Sequence, residues 1–184
     1  MFPLRIVAAA AAICAIAGCA SYKPAPAAPT ALPNKYSVNG KVAVNAAGKG
    51  YNARFSWAHH NLQDSVDISN PLGQVIARLE MGPEGARFLD SDGQIHLAED
   101  VESLSKNKLG WRLPAAGLRY WLLGLPDPSH AASWQEESGE RVLYQDGWRI
   151  QYPPATVGAP NKLSLKSNEL EVRIVLYDWQ LISD

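Results

Sequence analysis

The feature that most constrains this chain is an apolar period of two that begins at Val38 and returns in short runs almost to the C-terminus. Successive side chains of a strand point to opposite faces, so this period calls for β-structure with one buried face. Tyr51, Ala53, Phe55 and Trp57 alternate with Asn52, Arg54, Ser56 and Ala58. Leu170, Val172, Ile174 and Leu176 alternate with Glu169, Glu171 and Arg173, and Val175 breaks the polar side. Shorter runs lie at Val42 and Val44, Val66 and Ile68, Val75 to Leu79, Ile95 and Leu97, and Trp148 to Tyr152. Asp92-Gly93 and Asp146-Gly147 are hairpin dipeptides, because tight hairpin turns need a positive φ that these residues tolerate. About ten antiparallel strands are expected.

Two stretches keep helical spacing instead. Glu99 to Leu109 has acidic residues first and Lys106 and Lys108 late, which matches the sign of a helix dipole at both ends. Pro114 to Gly124 opens on Pro and sets Leu118, Trp121, Leu122 and Leu125 along one face. A stripe of this kind is commonly core packing. A many-stranded sheet with one apolar face must close, fold over or be covered, and a helical pair between two sheet halves points to covering. A curved sheet around large apolar residues also has room for a greasy ligand. With 47% hydrophobic and 19% charged residues, the chain can build a core and general disorder is excluded. The net charge is −1 and the 17 basic residues are scattered, so neither a nucleic acid nor an acidic membrane surface is the obvious electrostatic partner.

The first 18 residues carry one charge, Arg5, and an apolar run from Ile6 to Ala17. A membrane-spanning helix needs about 20 residues, so this reads as a signal peptide over 1–18. Ile16-Ala17-Gly18-Cys19 resembles the bacterial lipobox, which implies that Cys19 is lipidated and becomes the first residue of the mature chain. Cys14 leaves with the signal, so no internal disulfide is expected. Ala20 follows the Cys where inner-membrane retention commonly has Asp, which points to a lipid anchor on the periplasmic face of a Gram-negative outer membrane. Residues 19–34 hold the lipidated Cys and a Pro- and Ala-rich tether, whose Ala20 to Pro33 stretch reaches roughly 40 Å when extended. The β domain is expected over 35–184.

Motifs for chemistry are missing. No His lies at metal-ligand spacing with another, and His59-His60 read as a solvated strand end that nearby Asp64 does not turn into a site. No nucleophile elbow, phosphate-cradling loop or His-Glu-x-x-His occurs, and Asp90, Asp92, Glu136 and Glu137 offer only surface carboxylates. The chain reads as a non-enzyme without catalytic residues, metal or cofactor.

Ala53-Arg54-Phe55-Ser56-Trp57, Ser69-Asn70-Pro71-Leu72-Gly73-Gln74, Leu113-Pro114, and Leu118 to Pro126 with its Trp-Leu-x-Gly-Leu-Pro piece together resemble the LolB family of outer-membrane lipoprotein receptors. Trp148 to Tyr152 and Leu176 to Trp179 extend the resemblance over roughly Val38 to Trp179, while Asp127 to Gly139 has no clear counterpart. The resemblance implies a mainly β fold with short helices, a half-open antiparallel barrel of about ten or eleven strands whose apolar cavity the helices cover. It implies a receptor that takes acylated lipoproteins from a periplasmic LolA-like carrier and inserts them into the outer membrane, as a monomer and without nucleic acid. Phe55, Trp57, Ile68, Leu79, Trp121, Leu122, Trp148 and Ile174 are the candidate wall of the acyl-chain cavity. Leu72 sits in a turn between Pro71 and Gly73, where most leucines fold back; the resemblance implies instead an exposed tip that meets the membrane. A structural lipoprotein that docks a protein through a flat apolar face, and a lipid-modifying hydrolase, are the competing classes.

Overall fold

The structure, a computed structural model, describes residues 27–154 and 158–181. Cys19 and the signal segment lie outside them. Alternation becomes eleven strands: β1 Lys35–Ala46, β2 Lys49–His60, β3 Gln63–Ser69, β4 Val75–Gly82, β5 Gly85–Leu89, β6 Ile95–Ala98, β7 Ala132–Glu137, β8 Glu140–Gln145, β9 Trp148–Tyr152, β10 Lys162–Lys166 and β11 Leu170–Leu181. Two helices, α1 Val101–Leu109 and α2 Ala115–Trp121, separate β6 from β7.

All eleven strands form one antiparallel sheet in the order β6-β5-β4-β3-β2-β1-β11-β10-β9-β8-β7. Strands consecutive in the chain are neighbours in the sheet apart from β6 and β7, and the two halves join where β1 pairs with β11, Val42 opposite Ile174. β6 and β7 stay unpaired to each other, so the sheet is open, and the helical segment bridges its two edges. Strand β7 falls in the stretch from Asp127 to Gly139, for which the resemblance offers no clear counterpart. Five of its six residues are exposed, so packing imposes no apolar alternation on it.

Helix α1 forms where the charge pattern placed it. The Asp100 carboxylate accepts a hydrogen bond from the Ser103 N–H at 2.6 Å, and the chain leaves through Gly110 at φ 82°, a left-handed conformation that glycine adopts without cost. Asp146 and Gly147 turn the β8–β9 hairpin at φ 52° and 76°. Asp92-Gly93 differs from its reading as a two-residue turn. The Asp90 carboxylate there accepts from the N–H groups of Asp92 and Gln94, which makes a wider loop in which Gly93 has the positive φ.

One core cluster fills the concave face and runs from Tyr36 and Phe55 through Leu118, Trp121 and Leu122 to Leu176 and Trp179. Leu32, ahead of the first strand, packs against this cluster, so the end of the tether is seated on the domain. Each large apolar side chain buried here contributes about 1.5–3 kcal/mol relative to exposure.

Candidate functional site

The concave face is lined by buried aromatic and aliphatic side chains, and α2 packs against it. The sequence GLRYWLL puts Leu118, Trp121 and Leu122 on the inward side, all buried, with Leu123 also 1% exposed. Trp121 is fully buried and aligned by three contacts. Its indole N–H donates to Gln145 Oε1 at 2.8 Å, its carbonyl accepts from the Tyr152 hydroxyl at 2.9 Å, and its ring lies 6.3 Å from that of Trp148. Gly117, one turn earlier, leaves room for the ring: a Cβ there would sit 2.4 Å from the indole.

Gln145 uses its whole amide. Oε1 also accepts from the Asp127 N–H, and Nε2 donates to the carbonyls of Asp127 and His130. A buried amide with every hydrogen bond made fixes the segment after α2 rather than weakening the core.

The other flank of α2 is fastened by charge. The Arg119 guanidinium meets Asp64 Oδ2 at 2.5 Å, and Asp64 Oδ1 accepts from Trp57 Nε1 at 2.7 Å and lies 2.9 Å from His59 Nδ1. Tyr36, stacked on His59 with ring centres 5.2 Å apart, donates its hydroxyl to the Arg119 carbonyl. Burial, and then the Asp64 carboxylate, push the Tyr36 phenol far up, and burial does the same to Tyr152, so both remain neutral hydrogen-bond donors.

His59 and Asp64 correct the sequence reading of a solvated strand end. Both are 3% exposed. The signal was in the register: His59 shares the inward phase of Phe55 and Trp57, Asp64 shares that of Val66 and Ile68, and the two are directly opposed across β2 and β3. A charge at an inward position needs a partner, and the partner lies 55 residues away on α2, where local patterning does not show it.

Of the eight candidate wall residues, Phe55, Trp57, Leu79, Trp121, Leu122, Trp148 and Ile174 are buried members of the core cluster, and Ile68 packs against it half-buried. The structure therefore brings all eight together. An open groove of about 710 Å³, lined largely by polar residues, lies beside Trp121 and Trp148, the two of the eight that reach it, with Asp100, Arg112, Asp127 and Asp146 also on its sides. Leu72 is 94% exposed. Asn70 Oδ1 accepts from the Leu72 and Gln74 N–H groups at 3.0 and 3.1 Å, and Gly73 turns at φ 88°, so the loop satisfies its own backbone and leaves the side chain in solvent. Among the described residues no cluster suited to a metal ion occurs, and no helix is long and apolar enough to cross a membrane.

Residues 34–179 match the family model described as outer membrane lipoprotein LolB. The chain is 36% identical over 171 residues to the outer-membrane lipoprotein LolB of Chromobacterium violaceum, covering 90% of this chain and 93% of that one. It is 34% identical to the Thiobacillus denitrificans protein of the same name, covering 90% and 92%, and 34% identical to that of Pseudomonas aeruginosa, covering 79% and 74%. Among solved structures, a LolA superfamily protein from Nitrosomonas europaea aligns with 82% of this chain and 87% of its own at a TM-score of 0.47 and 10% identity.

Proposed function

We propose, for a chain that belongs to the LolB family of outer-membrane lipoproteins, a receptor that binds lipoprotein acyl chains on its concave face and delivers them to the outer membrane. It is held on the periplasmic side of that membrane by lipid on Cys19. The observation that carries the reading is α2 itself. An apolar helix covers the greasy face of an unclosed sheet and is fastened at its flanks by a few polar contacts, Arg119 to Asp64 on one side and Trp121 to Gln145 on the other.

Such a cover suits exchange of a greasy cargo. The core in the closed state is side chain on side chain, and three acyl chains that enter beneath α2 replace those contacts with similar ones. Each buried methylene is worth about 0.8 kcal/mol, so binding and release stay near balance and can run without an energy source. A periplasmic LolA-like carrier supplies the lipoprotein, Phe55, Trp57, Ile68, Leu79, Trp121, Leu122, Trp148 and Ile174 form the wall, and Leu72 meets the membrane during release.

The test uses the mature chain with Cys19→Ala, mixed with a triacylated peptide or with the same peptide unacylated. Co-elution of the acylated peptide alone is expected. Equal retention of both, or of neither, overturns the reading.

A further inference from the structure

On the convex face, cross-strand pairing sets Arg54 on β2 opposite Lys41 on β1, Lys41 opposite Val175 on β11, and Val175 opposite Lys162 on β10. All four are exposed, Val175 at 47%. Directly opposed like charges on a sheet disfavour folding, and among the described residues no carboxylate pairs with them. The nearby carboxylates are taken: both oxygens of Asp67 hold Arg78, and Glu171 holds Arg173. Among the described residues no ion pair involves Lys41, Arg54 or Lys162.

The stripe is not a by-product of a basic chain. Once Arg5 leaves with the signal, 16 basic residues face 18 acidic ones, a net charge of −2. The stripe is also continuous with the apolar tip. Pro71, the neighbour of Leu72, lines a 320 Å³ depression on this face together with Lys41, Arg54, Arg173 and Val175.

We infer that the stripe Arg54, Lys41, Val175, Lys162 is a docking surface for an anionic lipid bilayer, where its cations meet lipid phosphates while Leu72 enters the acyl layer. A lone apolar side chain holds a membrane weakly, and stable, oriented contact takes a second, electrostatic signal. An exposed leucine beside a row of unpaired cations with long apolar stems supplies both. The inference rests on the reading of Leu72 as the membrane contact, and it adds which lipids favour that contact and which way the domain faces.

The experiment is co-sedimentation of the whole mature chain with Cys19→Ala, using vesicles of phosphatidylethanolamine alone or with phosphatidylglycerol, at low and high salt. The parent should favour anionic vesicles at low salt, with the preference collapsing at high salt. Each cation near an anionic surface is worth about a fivefold change in binding, so Lys41→Gln/Arg54→Gln should lower anionic-vesicle binding about thirtyfold. Its melting temperature should be unchanged or higher, and Arg87→Gln, on β5 beside Glu80, should bind as the parent does. Leu72→Glu should weaken binding to both vesicle types, so failure of the Leu72 reading is seen separately from failure of the stripe. A parent without anionic preference, or a double variant that retains it, overturns the inference. So does a double variant that binds vesicles normally but accepts lipoprotein poorly from its carrier, which would give the stripe to a protein.

Discussion

Arg119 on helix α2 and Asp64 on strand β3 form an ion pair in which the carboxylate is completely buried and the guanidinium side chain is 20% exposed. The pair ties the cover to the sheet, and Trp57 and His59 share the same carboxylate. Removal of one partner leaves the other desolvated and unpaired, which typically costs about 3–5 kcal/mol. Asp64→Ala should lose stability on that scale in urea unfolding. The double variant Asp64→Leu/Arg119→Met should lose much less than the sum of its single changes. Additive losses would show that the two residues act independently.

Gly117→Ala is informative because two effects oppose each other. Alanine in a helix is favoured over glycine by about 1 kcal/mol, yet its Cβ would stand 2.4 Å from the Trp121 ring. Overpacking of a filled core costs about 1–3 kcal/mol, so the variant should be less stable than the parent and its Trp121 displaced. Calorimetry and tryptophan fluorescence read the two consequences. A more stable variant would mean that the ring has space to move.

Asp100 caps α1, and the Ser103 N–H followed by the Ser103 hydroxyl holds its carboxyl below the usual carboxylate range. A depressed folded pKa gives stability that is present above the unfolded value of about 3.9 and lost as pH falls through the folded one. Asp100→Ala should therefore cost about 1 kcal/mol at pH 7, and the deficit should shrink as the solution is acidified toward pH 3. Asp100→Asn retains an acceptor and should show little of this pH dependence. Thermal melts across that range check both.

Leu72→Glu tests delivery against acceptance. With 94% of Leu72 exposed, the change should shift the melting temperature very little. The variant should still take lipoprotein from its carrier and should transfer it poorly to outer-membrane vesicles, because a carboxylate resists entry into lipid. Transfer at the parental rate would remove the role assigned to Leu72.

What the sequence made legible follows from which forces are local. The inward phases of Phe55 and Trp57 and of Val172, Ile174 and Leu176 were plain because one-sided burial writes a period of two along a strand. The inward face of α2 was plain for the equivalent helical reason. β6 reads the opposite way: Ile95 and Leu97 are 53% and 75% exposed while His96 and Ala98 are the more covered, because β6 is an edge strand and His96 turns toward Asp90 at 2.7 Å. The Asp64–Arg119 tie was hidden because only the packing of α2 on the sheet brings its partners together, and the convex row from Arg54 to Lys162 because only strand order does.

The proposed seat of the acyl chains is the concave face beneath α2. The most direct measurement loads the mature chain with a triacylated peptide that carries a photoactivatable diazirine in its acyl chains, followed by irradiation and mapping of the labelled residues by mass spectrometry. Label is expected on Phe55, Trp57, Ile68, Leu79, Trp121, Leu122, Trp148 and Ile174. Label confined to the convex face around Lys41 and Val175, or to the exposed edge at Ile95 and Leu97, would contradict it.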